Sequence, residues 1–244
     1  MTSKKRSGVA AVLCGVLMFG AGAAWAGPEV ISLQKDEGSA DLSAWNGVSG
    51  HKPDTAQNNA MKVGSEEKAS DAPAETLAKL ADCTNIVATA NASPGKPVPP
   101  QTLSPATAKA VVVAKCHFVL KDAKDKHDYK ISLKPKFTAN MPDADKKASG
   151  KIEIALKLSG AQSVDMSGTY DIAPDDKAPT EKYAVTGTQT GKHKHDKPFD
   201  TKPIVSKETL KIGTYNVELK ATVSASSGEN PAVVKLDSVE VTWR

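Results

Sequence analysis

From Ala110 to Arg244 the chain alternates apolar and polar residues in separate runs, and this period of two restricts its fold more than any other feature. Alternation sends successive side chains to opposite faces of an extended strand, whereas a helix needs apolar residues three and four apart. Tyr129, Ile131, Leu133 and Phe137 share one parity, against Lys130, Ser132, Lys134 and Lys136 on the other. Ile152, Ile154, Leu156 and Leu158 alternate with Lys151, Glu153, Ala155 and Lys157, and Val164, Met166, Tyr170 and Ile172 alternate with Asp165, Ser167, Thr169 and Asp171. Such runs are half-buried antiparallel strands. Further runs cover 111–120, 182–188, 210–224 and 233–243. In the last, Val234 and Leu236 have one parity and Val239, Val241 and Trp243 the other, so a bulge is expected near Asp237 or Ser238. Pro135 has no N–H for a ladder and marks an edge strand. About seven strands with no helix between them predict an all-β chain, an antiparallel β-sandwich over residues 106–244.

What precedes the strands has a different texture. Residues 1–26 open with the basic MTSKKR, continue with an apolar run from Val9 to Ala24 and close on Ala24-Trp25-Ala26. This is the pattern of a secretory signal peptide with an Ala-x-Ala cleavage site. The apolar run is about 16 residues, short of the roughly 20 that span a bilayer, and Leu13 before Cys14 does not suit a lipoprotein signal. A periplasmic or secreted protein is expected, with no transmembrane segment after cleavage. Residues 27–72 are rich in Ser, Gly, Asp, Lys and Asn, and read as a disordered or loosely attached arm. Asp71-Ala-Pro-Ala-Glu-Thr-Leu resembles a helix start, with Pro73 in the first turn, so 73–105 is expected to hold one short helix and a Pro-rich linker.

Lys211-Ile-Gly-Thr-Tyr-Asn-Val-Glu-Leu-Lys-Ala-Thr-Val resembles the penultimate strand of immunoglobulin-like modules of the polycystic-kidney-disease type. The resemblance covers about residues 209–224. It implies an immunoglobulin-like sandwich in which the hydroxyl of Tyr215 bonds back to nearby backbone as a corner. Val217 stands where antibody-type domains carry a cysteine, and the resemblance implies no activity.

Cys83 and Cys116 are the cysteines left after signal cleavage, and in an oxidising compartment they are expected to pair. Cys116 shares its parity with Val112, Ala114, Phe118 and Leu120 and should face the core. The bond would close a loop of about 30 residues, worth roughly 3 to 4 kcal/mol in the chain-entropy picture.

Catalytic constellations are missing. The chain has no H-E-x-x-H helix, G-x-S-x-G elbow, EF-hand loop or complete phosphate-binding glycine loop, so a non-enzyme without cofactor is expected. In GKHKHDKPFD, residues 191–200, His193 and His195 would share one face of an extended segment, about 7 Å apart, and could hold zinc or copper. A closed site needs further ligands, for which His127, His117, Asp196 and Asp200 are candidates; a solvated lysine-rich loop is the simpler reading. Lys130, Lys134 and Lys136 lie on one face of a predicted strand and could meet an anionic partner.

Charge narrows the partners. The formal net charge is +4, but the signal carries three of the cations, and Arg244 is the one arginine left after cleavage. Guanine readout and bidentate phosphate clamps favour arginine, so nucleic acid is excluded as the expected partner. The resulting expectation is an exported non-catalytic binding or structural module whose partner is a protein or an anionic envelope component. The alternatives are a periplasmic metal-binding protein centred on His193 and His195, and a pilin-like or adhesin-like subunit using Val30 to Leu33 of the arm to complete a neighbour's sheet.

Overall fold

The computed structural model describes residues 38–82, 85–120, 130–141, 147–172, 180–184, 199–200, 203–207 and 209–243. In chain order the strands are β1 (Gly38–Trp45), β2 (Asp54–Met61), β3 (Glu66–Asp71), β4 (Ala74–Asp82), β5 (Asn85–Ala92), β6 (Ala106–Leu120), β7 (Ile131–Asn140), β8 (Ser149–Gly160), β9 (Val164–Ile172), β10 (Thr180–Ala184), β11 (Phe199–Asp200), β12 (Ile204–Val205), β13 (Gly213–Ser227) and β14 (Ala232–Trp243). One sheet has the order β10-β9-β8-β13-β6-β1-β2, and the other β11-β7-β14-β5-β4-β3, with β12 also on β7. Every ladder is antiparallel, and the two sheets form a sandwich.

The period-two runs become β6 to β10, β13 and β14. The β14 register shifts between Leu236 and Ser238, which turns Leu236 and Val239 both inward. Two short strands meet β7 on the side away from β14: β12 at Ser132 and Leu133, and β11 at Lys136 and Phe137. They stop on either side of Pro135, whose ring nitrogen cannot feed a ladder.

Two expectations need correction. Residues 38–71 are not an arm, because β1, β2 and β3 lie in the sheets and Ala40, Leu42, Ala44, Met61 and Ala69 belong to the buried core. Where a helix was expected after Pro73 stands β4, with Ala74, Thr76, Ala78 and Leu80 buried. Its sequence AETLAKLAD is rich in helix formers, but ladders to β3 and β5 decide its conformation. Local propensity is worth tenths of a kcal/mol per residue and yields to such pairing. Strands before and after residue 105 therefore share one core, and the expected boundary there does not divide the described residues.

That core is graded. On β6, Ala106, Ala108, Ala110 and Ala114 face inward, and β4 and β5 meet this strand with Ala78, Ala88, Ala90 and Ala92. Toward the far end of β6 lie Cys116, Phe118 and Leu120, and Phe118 stacks on Tyr215 with ring centroids 4.9 Å apart. Tyr215 donates its hydroxyl hydrogen to the Lys211 carbonyl at 2.6 Å, the corner bond expected at that position. Burial raises the Tyr215 pKa above its ordinary value.

Candidate functional site

The anticipated site residues are scattered. His117 is half-buried on the outward face of β6 and pairs in register with Asn216, while Asp200 lies in β11 opposite Lys136. His127, His193, His195 and Asp196 lie outside the described residues, as do Cys83 and the segment 30–33. Among the described residues, no group of three or more His, Cys, Asp or Glu is placed to hold a metal ion. Cys116 is buried, as its parity required.

Lys134 and Lys136 do share the outward face of β7, with Lys130 just before the strand. Sheet register sets an acid against each of the two: Glu240 of β14 pairs with Lys134, and Asp200 of β11 pairs with Lys136. At Lys134, a cluster of one sign in sequence thus meets the other sign in space.

The outward face of the β6, β13 and β8 sheet follows the same rule. Asp165, Lys157, Glu218 and Lys115 form a row of alternating charge across four strands. Lys115 and Glu218 approach to 4.0 Å, and Lys151 and Glu153 to 2.5 Å. The hydrogen bond that Lys151 donates to the Glu153 carboxylate is the main cause that holds its ammonium above the ordinary pKa. An open concavity of about 390 Å³ lies over this row, lined by Lys115, Lys157, Ser159, Asn216 and Glu218. Its charges answer one another and its wall is solvated, so it offers no ligand a strong complementary field.

A different construction occupies the end of the sandwich at which β6 begins. Here the β1–β2 loop (46–53), the β3–β4 turn and the β5–β6 loop (93–105) meet around Asn46, which is 2% exposed. Its backbone N–H donates to Asp71 Oδ2 at 2.9 Å, and its Nδ2 to Asp71 Oδ1 at 3.1 Å and the Ala72 carbonyl at 3.0 Å. Its Oδ1 accepts from the Val48 N–H at 3.0 Å and its carbonyl from the Gly95 N–H at 2.8 Å. Asn46 thus satisfies itself inside the protein, as a buried amide must. His51 Nδ1 lies 3.1 Å from Asn46 Nδ2 and 3.3 Å from Asp71 Oδ1, with the imidazole exposed at the rim. An Nδ2 group has two hydrogens, already taken by Asp71 and Ala72, so Nδ1–H of His51 donating to Asp71 completes the count.

The second loop is fastened at both ends. The Ser104 N–H donates to the Gly47 carbonyl at 2.8 Å, the Ser49 N–H to the Thr102 carbonyl at 2.9 Å and the Thr102 N–H to Ser49 Oγ at 2.8 Å. Gly47 has φ +81°, and a Cβ there would strike the Ser104 carbonyl oxygen. At the tip, Gln101 closes a turn on Val98, its N–H donating to the Val98 carbonyl at 2.8 Å and its Oε1 accepting from the Val98 N–H at 2.9 Å. This fastened loop displays apolar groups: Val98 is 68% and Leu103 41% exposed, beside the exposed Pro97, Pro99 and Pro100. Lys52 and Lys96 stand in the two loops, and neither loop contains Asp or Glu.

None of this was assembled from the sequence. Asn46-Gly47 is a turn dipeptide and signals a reversal after β1. The partners of Asn46 lie 25 and 26 residues away, at a spacing no motif encodes.

No family model matches the chain, and no curated protein does. The fold defines the class by itself: an antiparallel two-sheet β-sandwich.

Proposed function

We propose that the protein is an exported, non-catalytic binding or structural module of the cell envelope or surface, and that the Asn46-centred rim is its contact surface. The observation that supports this reading is the fastened loop 93–105, which holds Val98 outward at 68% exposure although Gly47 and Ser49 bond to Ser104 and Thr102 across the two loops and Val48 and Gly95 bond to Asn46. Apolar side chains presented on a rigid support mark interaction sites, because contact releases their hydration without an ordering cost. The signal-like N-terminus supports the address.

A Cys83–Cys116 bond belongs to the same proposal. A Cβ at Gly38 would lie 2.7 Å from Leu80 Cδ2, and Gly38 pairs with Ala114. The end of β4, three residues before Cys83, therefore lies over β6 two residues before Cys116. An inter-sheet disulfide there would tie the end of the sandwich away from the rim.

The test is fractionation of cells exporting the full chain. Val98→Asp/Leu103→Asp should move the protein from the envelope-associated to the free fraction, and Lys134→Gln/Lys136→Gln should leave it in place. Equal partition of both variants and the parent would overturn the assignment of the rim.

A further inference from the structure

We propose that Asp54 and Asn58 form a latch that closes one side of the sandwich to strand addition, and that opening it lets a second copy of this chain pair along β2. On this side both sheets end, one on β2 and the other on β3, which follow each other in the chain. A terminal strand offers its backbone N–H and C=O groups to any other strand, and proteins blunt such edges with lysine, proline or a bulge. Strand β2, DTAQNNAM, contains no lysine and no proline. Its bulge lies toward its far end, where the register passes from Ala40 with Asn58 to Gly38 with Met61. Asp54 to Asn58 remain a regular edge with a single charge, on Asp54.

Side chains close what composition leaves open. At one end of this stretch Asp54 Oδ2 accepts the Ser70 N–H of β3 at 2.7 Å. At the other, Asn58 donates from Nδ2 to Glu67 Oε1 of β3 at 2.5 Å and accepts the Ala60 N–H on Oδ1 at 2.9 Å. These bonds hold the two sheet edges against each other, and they occupy the backbone donors of Ser70 and Ala60, which an added strand would otherwise meet. The β2–β3 turn is anchored separately on β4, with the Gly64 N–H donating to the Leu80 carbonyl at 2.6 Å. Losing the latch therefore parts β2 from β3 while each keeps its place in its own sheet.

Register selects the occupant. A two-fold axis at Ala56 sets Asp54 against Asn58 and Thr55 against Gln57 across an antiparallel pair of β2 strands, with no like charges opposed. The same operation on β3 sets Glu66 against Asp71, which repel. Self-pairing is open to β2 and opposed at β3.

Sedimentation velocity of the purified full chain over a concentration series tests the proposal. Asp54→Ala/Asn58→Ala should dimerise at a concentration at least about tenfold below that of the parent. Glu67→Ala, which takes the partner of Asn58 from β3 and leaves β2 untouched, should shift the same way by a smaller factor. Tyr215→Phe loses a hydrogen bond in a different part of the fold and should sediment like the parent, which separates an opened edge from lowered stability. Adding Thr55→Lys/Gln57→Lys to the opened latch sets lysine against lysine across the two-fold and should restore the parent's profile; both positions are exposed. The proposal is overturned if the latch variants sediment like the parent, if Tyr215→Phe associates as strongly as they do, or if the added lysines leave the association unchanged.

Discussion

Two regions carry lysines on a rigid frame, and they differ in what stands opposite. On β7, Lys134 stands opposite Glu240 across a ladder fixed by backbone hydrogen bonds. At the rim, Lys52 and Lys96 belong to loops without acids, and the nearby Asp54 and Asp71 are bound to backbone and to Asn46. A strand face is compensated by its neighbours' side chains, a few ångströms away. A loop that leaves the sheet has no ladder partner opposite it, so what stands beside Lys52 is set by chain neighbours such as the exposed Asp54.

The comparison breaks most visibly if the rim loses its frame. Asn46→Ala removes the bonds to Asp71, Ala72 and Val48 and leaves buried groups unsatisfied, so urea unfolding should show a loss of about 2–3 kcal/mol. A loss under about 0.5 kcal/mol would mean the loops are held by other contacts.

A middle-sized effect comes from the far end of the sandwich. Tyr215→Phe deletes the bond to the Lys211 carbonyl and should cost about 1 kcal/mol. Because burial raises the folded pKa above the unfolded value of 10.0, the neutral phenol stabilises the fold fully below that pH. This contribution is lost as pH rises from the unfolded toward the folded pKa. Alkaline denaturation of the parent should therefore be steeper than that of Tyr215→Phe, whereas superimposable profiles would contradict the burial of the phenol.

The smallest effect is expected on β7. Lys134→Gln and Glu240→Gln, alone or together, should each change stability by no more than about 0.5 kcal/mol, since an exposed pair gives little in water. A larger coupling in the double-mutant cycle would show that this face is more sheltered than its register implies.

What could be read in advance follows contrast in the side chains. Ile152 to Leu158 and Val164 to Ile172 set large apolar groups against charged and small polar ones, and both runs became strands at the expected positions. In β1, GSADLSAW alternates just as faithfully, but Ala40 and Ala44 against Ser39 and Ser43 differ too little in hydrophobicity to stand out. Strand β2, DTAQNNAM, has Met61 as its one large apolar residue; it is held at the edge by β1, by Asp54 on the Ser70 N–H and by Asn58 on Glu67. Its conformation is decided by partners distant in sequence, and so is that of β4.

The rim was illegible for the same reason. Asn46 acts through Asp71 and Gly95, and neither its own neighbours nor a spacing rule point to them. The lysines of β7 were legible as a cluster, but Glu240 lies more than a hundred residues further along the chain, and register alone reveals it. Val98 lay in view inside Ser93-Pro-Gly-Lys-Pro-Val-Pro-Pro, where the prolines suggested a spacer; the bonds at both ends make it a fixed projection.

The most direct measurement places a solvent-sensitive fluorescent amino acid at position 98 in one protein and at position 134 in another. On adding the isolated envelope fraction, emission from position 98 should shift to the blue and emission from position 134 should stay unchanged. Equal shifts at both positions, or a shift at 134 without one at 98, would contradict the assignment of the rim as the surface that meets the envelope.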